Sequence, residues 1–278
     1  MLHSNCFRPA LLLVPAVLVI AFLPTPGASQ GNSGRSLTPL QLEIEKQQNR
    51  LSSAEVEERR DALTHLGALH HPEASRAATA GLKDSSAIVR VSAASAVRSL
   101  APEEAAAVLL PLLTDKDEFV RQETAYALGK TRSRSATAPL IELFGREKKD
   151  SARGAIIIAL GEIGDEAAVV TLAQVLRPEL AATNSKKRSK KNENLLVLRA
   201  AAHSLGQIGN RAAVPALVAT LQDEQAESDV RREAAIALGL IGDTTALPAL
   251  NGATNAEDPY LARAAFDASR RIVHQNTP

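Results

Sequence analysis

The sequence predicts an all-α protein whose main body is a right-handed α-solenoid. Three observations carry that prediction. A ten-residue block recurs seven times: ERRDALTHLG from Glu58, VRVSAASAVR from Val89, VRQETAYALG from Val120, ARGAIIIALG from Ala152, VLRAAAHSLG from Val197, VRREAAIALG from Val230 and YLARAAFDAS from Tyr260. The successive starts lie 31, 31, 32, 45, 33 and 30 positions apart, a period of stacked helical hairpins interrupted by one insertion. In most blocks apolar residues hold positions one, five and nine, with six or eight, which is one stripe of an α-helix facing a core.

Taken in order, the chain opens with Arg8 ahead of the apolar run Ala10–Leu23. That run has the length of a signal-peptide core and falls short of the ~20 residues a membrane-spanning helix needs. Small residues follow at Thr25, Gly27 and Ala28, between Pro24 and Pro26 and the polar stretch beyond. Residues 1–28 are therefore expected to be a signal peptide, cleaved after Gly27 or Ala28, rather than an uncleaved anchor. The mature chain is expected to be periplasmic or secreted, with no transmembrane span. Residues 29–37 read as a flexible polar linker. The single cysteine, Cys6, precedes the apolar run, so the mature chain has no disulfide, thiolate nucleophile or cysteine-based zinc site.

Residues 38–52 predict an N-terminal capping helix. Thr38 stands as N-cap, Pro39 in the first turn and Gln41 three residues after the cap. The repeat array then occupies residues 53–274, about six and a half units, with an inserted basic loop at 178–194. Position five of the block is small in most copies (Ala62, Ala93, Ala201, Ala234, Ala264), which lets neighbouring helices approach closely. Leu66, Leu128, Leu160, Leu205 and Leu238 fill position nine. Gly67, Gly129, Gly161, Gly206 and Gly239 follow, and are expected to end the helix in a left-handed conformation. A second helix completes most units, with Pro139, Pro215 and Pro248 in its first turn and Asp165 and Asp243 as caps. These second helices are expected to line a concave binding face. The seventh unit has no second helix before the chain ends.

At Ala234–Gly239 with Ile241-Gly242-Asp243, and again at Ala201–Gly209 and Ile158–Asp165, the chain resembles the HEAT-like repeats named after phycobilisome lyases. The resemblance runs over most of residues 53–273. It implies the armadillo-like helical superhelix and, for function, a scaffold. The bilin attachment performed by some members sits badly with a secretion signal and is not expected. The HEAT-like deoxyhypusine hydroxylases hold iron through His-Glu pairs. Here His65, His70, His71, His203 and His274 are each followed by another residue type, so that activity is not expected either.

Candidate sites are few. Lys186, Lys187, Arg188, Lys190 and Lys191 form a basic run in the insertion, suited to contact an acidic or polyanionic envelope partner. A net charge of +1 and 3% aromatic residues, none beside that run, argue against nucleic acid. The competing reading of the run is a solvated excursion. Position two carries Arg59, Arg90, Arg121, Arg153 and Arg231. They are read as registration between units in preference to an anion-capturing ladder. His70-His71-Pro72-Glu73 is the one cluster of metal-ligand types, and reads as surface histidines. With no nucleophile elbow, phosphate loop or zinc motif, no catalytic, cofactor-binding or metal residue is expected. The sequence thus predicts an extracytoplasmic, non-enzymatic interaction scaffold for a protein or envelope partner. The alternative is an accessory or regulatory subunit of an enzyme.

Overall fold

A computed structural model describes residues 37–176 and 194–277. The signal segment, all of the linker but Leu37, and the basic run Lys186–Lys191 lie outside the described residues. Contacts divide the chain at Leu37/Thr38, and the unit from Thr38 onward holds the repeats. Its described residues form fourteen α-helices and no strand.

The capping helix α1, Pro39–Arg50, starts as the sequence predicts. The amide N–H of Gln41 donates to Thr38 Oγ1 at 3.2 Å and that of Thr38 to Gln41 Oε1 at 3.1 Å, a reciprocal capping box. It buries Ile44 and Gln47, and its partners are α2 (Val56–Ala68) and α3 (Pro72–Ala78). The further first helices are α4 (Ala87–Ala96), α6 (Glu118–Thr131), α8 (Asp150–Ile163), α10 (Leu195–Ile208), α12 (Ser228–Ile241) and α14 (Pro259–Gln275). The second helices are α3, α5 (Pro102–Leu109), α7 (Thr137–Arg146), α9 (Val169–Leu176), α11 (Val214–Gln222) and α13 (Leu247–Ala253). Each first helix from α2 onward packs on the next, and one continuous apolar core threads between the two layers.

The glycine at position ten does something other than expected. Gly67, Gly129, Gly161, Gly206 and Gly239 sit inside their helices, which run on past them. Their missing side chains let the next first helix lie against the backbone. A Cβ on Gly206 would stand 2.8 Å from Ala237 Cα, and one on Gly129 2.8 Å from Ala159 Cα. In every case the residue met is position eight of the following block: Ala96, Ala159, Ser204, Ala237 or Ala268. The left-handed residue comes three positions later, at Gly164, Gly209 and Gly242 with φ of 71°, 73° and 75°. In the second block Arg98 replaces the glycine. There the α-helix stops at Ala96 and a 3₁₀ turn, Val97–Ser99, takes over the remaining residues.

The seventh block is offset by one residue from the sequence alignment. Tyr260 is 71% exposed whereas Leu261, Ala265 and Ala268 are buried, so Leu261 holds position one. The contact of Gly239 with Ala268 then obeys the same rule as in the other units. Asp258 caps the helix, accepting from the amide N–H of Tyr260 at 2.8 Å and of Leu261 at 3.3 Å.

Second helices vary more. Asp165, Asn210 and Asp243 cap short 3₁₀ turns that lead into α9, α11 and α13. In the first two units the 3₁₀ segments follow the helix instead, at Thr79–Lys83 and Leu110–Thr114, the latter with Pro111, which has no N–H to continue an α-helix. First helices contact their successors along their lengths, while second helices touch neighbouring second helices only sparsely.

Candidate functional site

The position-two arginines build a rail through the first four units, as registration predicts. Arg59 donates from Nε and Nη2 to Asp84 at 2.7 and 2.9 Å, Arg90 likewise to Asp115 at 2.8 and 2.9 Å, and Arg121 to Glu147 at 2.7 and 3.2 Å. The third guanidinium nitrogen, Nη1, donates to carbonyls of the preceding turn: Ser53 and Ala54 for Arg59, Asp84 and Ser85 for Arg90, Asp115 and Lys116 for Arg121. Each acidic residue thus accepts from one unit through its carboxylate and from the next through its backbone carbonyl. Arg153 extends the pattern to the carbonyls of Phe144 and Glu147 and lies over the Phe144 ring, 4.1 Å from its centroid. Arg231 reaches the Leu221 carbonyl at 3.0 Å.

The rail's electrostatics follow from this geometry. The bonds from Arg59 hold the Asp84 carboxyl below its ordinary range, against a smaller opposing effect of burial. For Asp115 and Glu147 burial alone would raise the pKa. The arginine and backbone N–H donors together outweigh it, and both groups end below their ordinary values. These groups are committed to one another and offer nothing to a ligand.

His71 is the N-cap of α3, its Nδ1 accepting from the amide N–H of Glu73 at 3.2 Å. His70 sits three residues after Gly67, where later units place their left-handed glycine, and itself has φ of 48°. Among the described residues no group of three or more His, Cys, Asp or Glu side chains is arranged to hold a metal. No described helix is long and apolar enough to cross a membrane.

Open depressions lie on both layers. On the second helices, where the sequence expects a binding face, one of about 860 Å³ is lined by Leu221 and Gln222 of α11 and by Pro248, Ala249, Gly252 and Ala253 of α13. Three others lie on the first helices. The N-terminal one, about 660 Å³, is lined by α2, α4 and α6 and is rich in hydroxyls: Thr64, Ser92, Ser95 and Ser99. His70, Arg98, Glu123 and Lys130 complete its wall. Burial raises the pKa of Glu123, partly opposed by a hydrogen bond from Ser95 and by the charge of Arg98. The central depression, about 510 Å³, runs across α6, α8, α10 and α12, with Tyr126, Ile158 and Leu196 beside Gln122, Arg199 and His203. His203 Nδ1 lies 2.8 Å from Glu233 Oε1, and among the described residues Gln122 Oε1 and Arg199 Nε are buried without a hydrogen-bond partner. The C-terminal depression, on α12 and α14, sets Ile236 and Tyr260 among Arg232, Arg263 and Arg271.

These linings share one rule. Counted from position one of each block, they draw mostly on positions three, four, seven and eleven, away from the core stripe, with the glycine and small residues of the seam at their floors. The third unit contributes Gln122, Glu123, Tyr126 and Lys130, the fifth Arg199, Ala200 and His203, and the seventh Arg263, Ala264, Asp267 and Arg271. The repeat consensus occupies the other positions, which is why searching for the pattern passed over this face. Reading the non-consensus columns down the sequence would have found it.

Fold and face together define a helical-repeat solenoid of the protein-interaction type. A family model of HEAT repeats matches residues 44–129, 109–182 and 187–270, and the chain belongs to the HEAT-repeat family. A search of curated proteins returns no match. Among solved structures, the chain is similar to the complex of CpcE and CpcF of phycocyanin lyase from Nostoc sp. PCC7120. The identity is 23% and the TM-score 0.51, over 90% of this chain and 98% of that chain. An engineered protein is similar at 20% identity and TM-score 0.50, over 83% and 68% of the two chains. Human deoxyhypusine hydroxylase in complex with glycerol gives 21% identity and TM-score 0.38, over 84% and 96%. Such likenesses speak to the fold.

Proposed function

We propose that this protein is an extracytoplasmic interaction scaffold that binds a protein partner along the outer face of its first helices. The observation that carries the reading is the division of labour within each block. Core-stripe, glycine and rail positions serve mainly for stacking, while positions four, seven and eleven vary between units and, with the arginine that recurs at position three, supply most of the lining of the depressions on the first helices. Large apolar side chains stand exposed on these helices, with Leu196 at 67%, Ile236 at 39% and Leu240 at 36% accessible, and Tyr260 beside them. Exposed apolar groups among hydrogen-bonding ones are the make-up of an interface.

The extracytoplasmic placement rests on the charged start and apolar run of residues 8–23 and on the absence of cysteine after Cys6. The basic run Lys186–Lys191 is offered as an auxiliary contact for an acidic partner surface. An accessory subunit of an enzyme would use the same face, with the enzyme as the partner.

Two measurements test this. N-terminal sequencing of the protein from its native host should find a start after Gly27 or Ala28, outside the cytoplasm; a cytoplasmic chain beginning at Met1 would refute the placement. Photo-crosslinking residues installed at Ser95, Ile236 and Tyr260 should trap the partner, while one at Val170, exposed on second helix α9, should not. Trapping at Val170 alone would refute the binding face.

A further inference from the structure

Position three carries arginine in three successive units, Arg199 on α10, Arg232 on α12 and Arg263 on α14. These helices are direct neighbours, held close by Gly206 against Ala237 and by Gly239 against Ala268. Equivalent positions on helices packed this way recur about every 8–10 Å. We propose that this row is a recognition track for an extended protein segment with an acidic residue at every third position. The proposal rests on the interaction-scaffold reading and gives its partner a chemistry.

The spacing selects the conformation. A polyproline II segment has three residues per turn and rises ~3.1 Å per residue, so one side chain in three returns to the same side after about 9 Å. That matches the arginine row. A β-strand returns a side chain to one face after about 6.7 or 13 Å, which does not match. An α-helix needs seven residues and about 10.5 Å, a poorer fit that the test below separates.

The arginines are available for exchange. Arg232 holds Asp229 at 2.5 Å three residues away on its own helix, the two side chains 29% and 42% exposed, and Arg263 holds Asp267 at 2.7 Å four residues away, the two 73% and 52% exposed. An exposed pair within one helix, such as Arg263–Asp267, is weak, so an incoming carboxylate meets little competition there, and the partly exposed Arg232 keeps one face open to it. Arg199 lies 3.8 Å from Asp229, and its buried Nε has no partner among the described residues. Arg271, beside the row, has no carboxylate within 4.0 Å among the described residues and would meet a further acidic residue. Between the arginines, Leu196, Ile236 and Tyr260 offer apolar surface for the spacer residues of a peptide. A nucleic acid or other polyanion would leave that surface uncovered, and a chain of net charge +1 lacks the excess positive charge that drives polyelectrolyte binding.

The test is fluorescence anisotropy on the full chain with four labelled probes. They are a twelve-residue peptide of four Glu-Pro-Leu triplets, a peptide of the same composition with its glutamates contiguous, a helical peptide with glutamate every seventh residue, and a twelve-nucleotide oligothymidylate. The triplet peptide should bind tightest, by about fivefold or more, and weaken as salt rises. R232A and R263A should each weaken it about fivefold, and R232E/R263E should instead bind the matching Lys-Pro-Leu peptide. Equal binding of the contiguous or seven-spaced peptide, equal binding of the oligonucleotide, or indifference to R232A and R263A would each overturn the proposal. Arg263 is largely exposed and Arg232 partly so, and circular dichroism of each variant verifies that it is folded. The two levels of argument fail separately. A partner trapped at position 236 yet insensitive to R232A/R263A removes only the acidic spacing, whereas trapping at Val170 alone removes the interaction face beneath it.

Discussion

The first three units and the next three join their helices by different chemistry. From α2 to α7 the junctions are charged: arginine rail to carboxylate, with His70 and Arg132 as left-handed residues of φ 48° and 57°. From α8 to α13 the left-handed residue is glycine each time, and Asp or Asn caps the 3₁₀ turn into the second helix. Common to both halves is the bare glycine flank of one first helix against a small residue of the next. Helix ends can be closed in more than one way because they contribute little beyond satisfying their own backbone groups. The interhelical seam is less forgiving, because its dimension is set by the absence of a single carbon; where Arg98 stands in the glycine's place, the α-helix gives way to a 3₁₀ turn.

The largest expected effect breaks the charged junctions. Asp115→Ala leaves Arg90, whose side chain is 9% exposed, without its carboxylate, and should cost about 3 kcal/mol by denaturant unfolding. That figure is at the low end for a buried pair, since Arg90 keeps the carbonyls of Asp84 and Ser85. Arg90→Met with Asp115→Leu should recover most of the loss; if the double variant is no better than the single, the rail is more than mutual neutralisation. The pH dependence has a definite sign. The folded pKa values of Asp84, Asp115 and Glu147 are depressed, so their contribution is present above the ordinary carboxylate range near pH 4 and is lost as pH falls through the folded values. Hydrogen exchange in mild acid should therefore open α2–α7 before α10–α14.

Next in size is the seam. Gly206→Ala places a Cβ 2.8 Å from Ala237 Cα, backbone that cannot swing aside, and should destabilise by about 2 kcal/mol. Gly154→Ala is the control: it is also inside a first helix, but nothing lies within 4 Å of its Cβ, and it should stabilise by roughly 0.5–1 kcal/mol. Equal effects at the two sites would mean that helix propensity, and not close approach, explains the glycines.

Much of this was legible in the sequence. The period, the N-terminal capping box, the caps at Asp165 and Asp243 and the structural role of the arginines all follow from local rules that need no knowledge of the neighbouring unit. The errors arose where a neighbour decides. Glycine at position ten looks like a helix end on one strand of sequence and proves to be a contact only when the next helix is in place. The register of the last block depended on whether Tyr260 or Leu261 is buried, which its unit alone does not specify. The outer face was passed over because repetition marks what the units share, and recognition uses what they do not.

A smaller effect sharpens the contrast between the two ways of ending a first helix. His70→Gly relieves a left-handed conformation unfavourable to a residue with a Cβ, and should stabilise by about 0.5–1 kcal/mol. Gly209→Ala, with nothing within 4 Å of the added Cβ, imposes the same strain in the other half and should cost about 1 kcal/mol. If His70→Gly fails to stabilise, the imidazole in the N-terminal depression is offsetting its own strain through contacts there.

The smallest effect concerns Glu123, the one carboxyl in the N-terminal depression whose pKa burial raises. A carboxyl raised on folding reverses the rail's sign. Folding favours its protonated form, so the associated stability is fully present below the unfolded value and is lost as pH rises through the folded one. Glu123→Gln keeps the shape without the charge. It should raise Tm modestly at pH 7 and leave it unchanged at pH 4, where the wild-type carboxyl already approaches neutrality. The same variant should leave the triplet-peptide affinity untouched, since the arginine row lies on α10, α12 and α14 while Glu123 is on α6. Loss of peptide binding in Glu123→Gln would show that the two halves of the face act as one site, and the distinction between a charged, stacking-dominated half and an arginine-bearing recognition half would then have to be redrawn.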